Sequence, residues 1–220
     1  ITYLWNFGDF SIGSSLNSPS YTYAAAGNYF VPLSTISPGP VGTLGCVDSL
    51  QLEFVVYPTP IASYSANNVC KYDSVYFENT TDTVIPNLTF NWDFDDGQFS
   101  NDYSIYHNFN SANNYTVSLD VSSDYGCSSS TSQIIEIYPV PNANFSFGNV
   151  CFGNTMDFFN TSTSINSLSY DWSFDDGTPN ESSQDVTHLY GIADTFDVQL
   201  IINSVYNCSD SVNKNVIVHP

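Results

Sequence analysis

Leu88-Thr89-Phe90-Asn91-Trp92-Asp93-Phe94-Asp95-Asp96-Gly97 is the stretch that decides the fold. Apolar and polar side chains alternate from Leu88 to Phe94, the period-2 pattern of a strand with one face in a core. Asp95-Asp96-Gly97 then supplies turn chemistry, because Asp bonds its own backbone and Gly accepts a positive φ. The stretch is not unique. Trp5-Asn6-Phe7-Gly8-Asp9 precedes it, and Trp172-Ser173-Phe174-Asp175-Asp176-Gly177 follows it.

A second pattern follows each Trp motif. It reads Tyr21, Tyr23, Tyr29, then His107, Phe109, Tyr115, then His188, Tyr190, Phe196, and each instance leads into an alternating strand such as Tyr115-Thr-Val117-Ser-Leu119-Asp-Val121. The cysteines keep the same beat. Cys46, Cys127 and Cys208 fall 81 residues apart, as do Cys70 and Cys151. Pro58/Pro60 and Pro139/Pro141 close two of the units, and His219-Pro220 falls where a third closure belongs. A fixed period of this length is the mark of a repeat architecture. The units are expected at 1–59, 60–140 and 141–220, joined by short, proline-stiffened links.

Within 60–140, strands are expected at 61–64, 73–78, 88–94, 115–121 and 133–138, with a turn at Asp124-Tyr125-Gly126. Six or seven short strands in a unit of this size indicate an all-β fold, a tandem series of immunoglobulin-like β-sandwiches. Trp5, Trp92 and Trp172 are the expected core residues between the sheets. The first unit lacks the segment that precedes Trp92 in the second. Cys46 is therefore expected to find its partner outside the chain, either in a longer repeat protein or, through strand complementation, in another chain.

Composition agrees. The 220 residues include 16 Tyr, 16 Phe and 3 Trp, which favour strands. Two Lys+Arg stand against 22 Asp+Glu, a formal charge of −20. Such a chain can form no basic patch, which excludes nucleic acid and anionic lipid surfaces as partners. The acidity either serves solubility through self-repulsion or is met by calcium, which takes oxygen ligands. No apolar stretch is long enough for a membrane span, and any signal peptide is expected to have been removed or to lie upstream in a longer polypeptide.

The run Trp92-Asp-Phe-Asp-Asp-Gly, then His107-x-Phe109, then Tyr115-Thr-Val117-Ser-Leu119 resembles the polycystic-kidney-disease (PKD) repeat. The hallmark of that family is Trp-Asp-Phe-Gly-Asp-Gly, a His-x-Tyr and a Gly-x-Tyr-x-Val strand. This chain departs from it where Asp95 and Asp175 replace Gly, Ser173 replaces Asp, and Phe10 replaces the last Gly. The resemblance implies a seven-stranded sandwich with a role in adhesion, stalks or spacing. The paired cysteines resemble the variant abundant in large surface proteins of the Bacteroidota.

Candidate sites follow. Cys70 to Cys127 and Cys151 to Cys208 are both 57 residues, which argues for disulfides Cys70–Cys127 and Cys151–Cys208 and for an oxidising, extracellular compartment. Asp93, Asp95 and Asp96, and Asp171, Asp175 and Asp176, cluster beside the turns. They serve either as calcium ligands, as the resemblance implies, or as acceptors for turn backbone. The histidines interchange with Tyr21 and are read as packed rings. Asp-Ser/Thr-apolar triplets mark Ser49, Ser74, Thr83 and Ser211 as O-glycosylation candidates of the Bacteroidota type. No nucleophile motif appears, so the chain is read as non-enzymatic. The leading expectation is an extracellular structural or adhesive array, stalk or filament segment, whose partner is a protein or glycan ligand or neighbouring copies of itself. The alternative is a spacer or carbohydrate-binding module of a secreted hydrolase.

Overall fold

Alternating strands dictate sheets, and sheets with one apolar face must pack in pairs. The computed structural model describes residues 1–41, 45–82 and 84–220. The first repeat forms a three-stranded antiparallel sheet in the order β1-β2-β3, from β1 (Thr2–Trp5), β2 (Gly27–Ile36) and β3 (Val47–Val56). The second contains β4 (Tyr64–Ser65), β5 (Val69–Cys70), β6 (Ser74–Asn79), β7 (Leu88–Asp93), β8 (Phe99–Ser100), β9 (Ile105–Asn108), β10 (Asn114–Ser123) and β11 (Ser128–Tyr138). Its sheets run β5-β11-β10-β7-β8 and β4-β6-β9. The third contains β12 (Phe145–Phe147), β13 (Val150–Cys151), β14 (Met156–Asn160), β15 (Leu168–Ser173), β16 (Val186–His188), β17 (Thr195–Ser204) and β18 (Ser209–His219), in sheets β12-β14-β16 and β13-β18-β17-β15.

Backbone contacts gather the chain into two compact units. One comprises Ile1–Ser63, Thr80–Asn91 and Leu119–Thr131, and the other Tyr64–Asn79, Trp92–Ser118 and Ser132–Pro220. No helix is long and apolar enough to cross a membrane among the described residues.

The third repeat shows how the core is built. Along β17, every second residue from Phe196 to Ser204 is buried, and Val198, Leu200 and Ile202 are fully so. They meet Phe145, Met156 and Phe158 from the facing sheet, with Trp172 at 0% exposure between them. Each such side chain contributes about 1.5–3 kcal/mol by leaving water. Phe145 meets the Trp172 ring edge-on at 5.2 Å and Phe158 tilts against it at 5.9 Å. The second repeat seats Trp92 the same way, between Tyr64 at 5.1 Å and Phe77 at 5.7 Å.

Two expectations need correction here. Trp5 is only half-buried, because β1-β2-β3 has no facing sheet among the described residues and β3 is exposed almost throughout. The opening strand expected at 61–64 shrinks to Tyr64–Ser65. Its first residues bond side chains instead of a ladder. The Ala62 amide donates to Ser129 Oγ (2.9 Å) and the Ser63 amide to Thr81 Oγ1 (3.2 Å).

Candidate functional site

Two features recur from repeat to repeat. The first is the turn that follows each Trp strand. In the second repeat Asp96 Oδ1 accepts the Gln98 amide (3.0 Å), and Oδ2 lies 2.8 Å from His107 Nε2. In the third, Asp176 Oδ1 accepts the Thr178 amide (3.1 Å), and Oδ2 lies 2.8 Å from His188 Nε2. In the first, Asp9 takes the Ser11 amide (3.1 Å) and the Tyr21 hydroxyl. Each partner ring is the second member of a run of four rings, stacked at both ends and edge-on in the middle. Phe94, His107, Phe109 and Tyr115 follow one another at 3.9, 4.7 and 4.2 Å. Phe174, His188, Tyr190 and Phe196 do so at 4.0, 4.6 and 4.0 Å, and Phe7, Tyr21, Tyr23 and Tyr29 at 3.9, 5.1 and 3.9 Å. The histidines are thus packed rings with one polar tip, interchangeable with Tyr.

Electrostatics follow the contacts. Burial pushes the Asp176 carboxyl up, but hydrogen bonds from Thr178 and His188 outweigh it and leave the group below the ordinary carboxylate value. Asp9 is lowered by its bonds to Ser11 and Tyr21. Burial raises the Tyr190 hydroxyl, which has no hydrogen-bond partner among the described residues. Burial also lifts Tyr64 to about 12, its hydroxyl donating to the Val117 carbonyl at 2.8 Å.

The aspartates expected as calcium ligands accept hydrogen bonds from protein donors. Asp93 Oδ1 accepts the Asp95 amide (3.0 Å) and Asp171 Oδ1 accepts Asn180 Nδ2 (2.9 Å). Asp95 Oδ2 accepts the Thr116 amide (2.9 Å) and Asp175 Oδ2 the Asp197 amide (3.1 Å). Among the described residues no three His, Cys, Asp or Glu side chains gather as a cation would require. These bonds also account for the departures at Asp95 and Asp175. Both sit at φ 61°, where Gly is the usual occupant, and each offsets that cost with a bond to the neighbouring strand of the same sheet. In the first repeat the position is Gly8 at φ 78°, and an added Cβ would overlap the Phe30 carbonyl oxygen.

The second recurring feature is the joint between repeats. Here the expected disulfides are corrected: Cys70 is bonded to Cys208, with Cα atoms 5.6 Å apart, so the bridge spans two repeats. Cys127 and Cys151 are free thiols. Strand length explains the change. Cys151 pairs in register with His219 at the far end of β18, while Cys208 immediately precedes its start. The eleven residues of β18 span about 33 Å at ~3.3 Å per residue, far beyond the Cα separation of a disulfide. The second repeat has the same layout, with Cys70 in register with Tyr138 and Cys127 preceding Ser128.

Tyrosines mark the joint as well. Tyr138, beside Cys70, stacks on Tyr206 of the β17–β18 hairpin at 4.0 Å and 6° between planes. The preceding joint repeats the contact, since Tyr57 stacks on Tyr125 at 3.7 Å and 6°, and Cys127 Sγ lies 3.9 Å from the Tyr57 carbonyl. Tyr125 lies in the turn expected at Asp124-Tyr125-Gly126, and Tyr206 in the turn between β17 and β18. Their equal two-residue distance from Cys127 and Cys208 was the signal that could have placed them at the joints. Of the glycosylation candidates, Ser49, Ser74 and Ser211 are exposed on β3, β6 and β18, Ser74 Oγ bonding Asn108. Thr83 lies outside the described residues.

Paired sheets closed over a central Trp, repeated along the chain and followed each time by an Asp turn, define a class of immunoglobulin-like sandwich repeat. The model of the PKD domain matches residues 57–137 and 139–218, and the chain belongs to that family. Among solved structures it is similar to the PKD1 domain of Vibrio anguillarum Epp, at 26% identity over 37% of this chain and 96% of that one, with a TM-score of 0.34. It is similar also to the fibronectin(III)-like modules of Clostridium thermocellum CbhA, at 9% identity over 72% of this chain and 94% of that one (TM-score 0.39). The SGBP-B protein of Bacteroides ovatus, solved with a mixed-linkage heptasaccharide, matches at 14% identity over 74% of this chain and 48% of that one (TM-score 0.33). No curated protein sequence matches the chain.

Proposed function

We propose that the chain is a length of an extracellular, load-bearing array of three PKD-like repeats, 1–59, 60–140 and 141–220, that works as a stalk or spacer. The observation that carries this reading is the Cys70–Cys208 bond, which ties one repeat covalently to the next. A bond inside a repeat would protect that repeat alone. A bond across the joint makes two neighbouring sandwiches share load, with the Tyr138–Tyr206 stack beside it. Closing a loop of 138 residues stabilises by about 5 kcal/mol in the chain-entropy account. Such a bond persists in an oxidising compartment, which supports an extracellular location. The acidic surface suits a molecule that must stay extended from its neighbours without binding them indiscriminately.

Single-molecule pulling of the 220-residue chain tests this. With the bond intact, the 138 residues it encloses are withheld from extension. Reduction should release about 480 Å of extra contour length at ~3.5 Å per residue, and lower the unfolding force. Equal forces and extensions in oxidised and reduced protein would remove the mechanical reading.

A further inference from the structure

The Cys70–Cys208 bridge implies a rule for the three cysteines it leaves over. The repeats carry two kinds of cysteine, both of which occur in the second and third. Cys70 and Cys151 end the short strands β5 and β13, each in parallel register with the last residue of its repeat's longest strand, Tyr138 or His219. Cys46, Cys127 and Cys208 end hairpins, and each accepts the same backbone bond, from Ser37 (3.0 Å), Ser123 (2.9 Å) and Ser204 (2.9 Å) respectively. The one bond present joins the strand-end cysteine of a repeat to the hairpin cysteine of the repeat that follows it.

We infer that Cys127 and Cys151 are the two open halves of this same joint, Cys151 taking its complement from the hairpin of a further repeat of this type and Cys127 from a strand-end cysteine of the repeat that carries Tyr57. Cys151, with His219 alongside, is the half that receives a hairpin bearing Tyr-x-Cys, as Tyr206-Asn207-Cys208 is received by Tyr138 and Cys70. Cys127 is the hairpin half, already seated. Its neighbour Tyr125 is stacked on Tyr57 as Tyr206 is on Tyr138, and its sulfur lies beside the Tyr57 carbonyl. What it lacks is a strand-end cysteine next to Tyr57. The repeated ring stack is the second, independent observation. It shows that the joint forms in the same way whether or not the sulfur bond is made. Cys46 follows the same rule as a hairpin cysteine. The inference rests on joint geometry and stands whether or not the array bears load.

Bond formation requires a disulfide oxidant, for which oxidised glutathione serves. The Cys151 thiolate attacks it, releasing one glutathione thiolate and leaving a mixed disulfide. The incoming hairpin thiolate then displaces the second glutathione. Two protein thiols lose two protons and two electrons, and one oxidised glutathione becomes two reduced ones.

The test is disulfide mapping of two proteins folded in a glutathione buffer. In the 220-residue chain, native-state alkylation should label Cys46, Cys127 and Cys151 and spare Cys70 and Cys208. In the same chain lengthened after Pro220 by a duplicate of 141–220, Cys151 should become protected and appear linked to the duplicate's hairpin cysteine. The duplicate's own strand-end cysteine should then be the reactive one. Oxidation of the unextended chain separates the sources. A ladder linked through Cys151 and Cys46 assigns the complement to a second copy, and a monomer with Cys151 still reactive assigns it to further repeats of the same polypeptide. Recovery of Cys70–Cys127 or Cys151–Cys208, or a Cys151 that stays reactive in the lengthened chain, would overturn the rule.

Discussion

The first and third repeats run the same sequence motif to different ends. Trp172 stands between two sheets, touched by Phe145 and Phe158, with its indole N–H on the Ser183 carbonyl at 3.0 Å. Trp5 makes the same bond, to the Leu16 carbonyl at 3.0 Å, yet remains partly exposed. In the first repeat Phe7 and Val31 are buried, whereas the third assembles a core of fourteen buried residues. The motif therefore sets a local geometry, made of strand, turn, ring stack and indole bond, that survives without a second sheet. Burial is a separate matter, supplied by the strands that precede the motif.

Substitution of the two tryptophans is the strongest way to break this comparison. Trp172→Ala should destabilise its repeat by about 3–5 kcal/mol, because it empties a filled core. Trp5→Ala should cost about 1–2 kcal/mol, since that ring is already partly in water and has no second sheet over it among the described residues. Amide hydrogen exchange of β17 and β2 reads the two effects separately. Equal losses would mean that the first sheet is covered as the third is.

A swap at the turn sharpens the contrast. Gly8→Asp should destabilise the first turn by about 2–3 kcal/mol, because the new Cβ meets the Phe30 carbonyl at a positive φ. Asp95→Gly should change stability by less than about 1 kcal/mol. It loses the bond to the Thr116 amide and gains relief at φ 61°. Chemical denaturation of the two variants is the measurement, and a large loss at Asp95 would show that the carboxylate does more than cap the strand.

The smallest expected effect lies in the ring stacks. Tyr190→Phe should be neutral or stabilising by up to about 1 kcal/mol, because its buried hydroxyl lacks a partner among the described residues and the second repeat carries Phe109 there. Tyr23→Phe should instead cost about 1 kcal/mol, the loss of its bond to the Phe7 carbonyl at 3.0 Å. Thermal denaturation resolves the two signs.

Much of this was legible in the chain. Alternation in 88–94 and the Asp-Asp-Gly turn announce a strand and its end, because side-chain direction in a strand depends only on residue parity. The interchange of Tyr21, His107 and His188 announced packed rings, and each meets the equivalent aspartate. The partners of the turn aspartates were not legible. A row of carboxylates reads alike in sequence whichever donors it faces, and only the fold brings the Thr116 and Asp197 amides to Asp95 and Asp175.

The disulfides divide the two kinds of knowledge most clearly. The sequence by itself determined the 81-residue period, the repeat class, and that two interleaved series of cysteines share that period. It could not determine the pairing, because a periodic array gives equal spacing to every choice of partner, within a repeat or across the joint. Tertiary structure decided it through the length of one strand. The eleven residues of β18, like those of β11, hold the two cysteines of a repeat about 33 Å apart at ~3.3 Å per residue. The next repeat's hairpin is brought against the strand end, and the bond forms where the sulfurs meet.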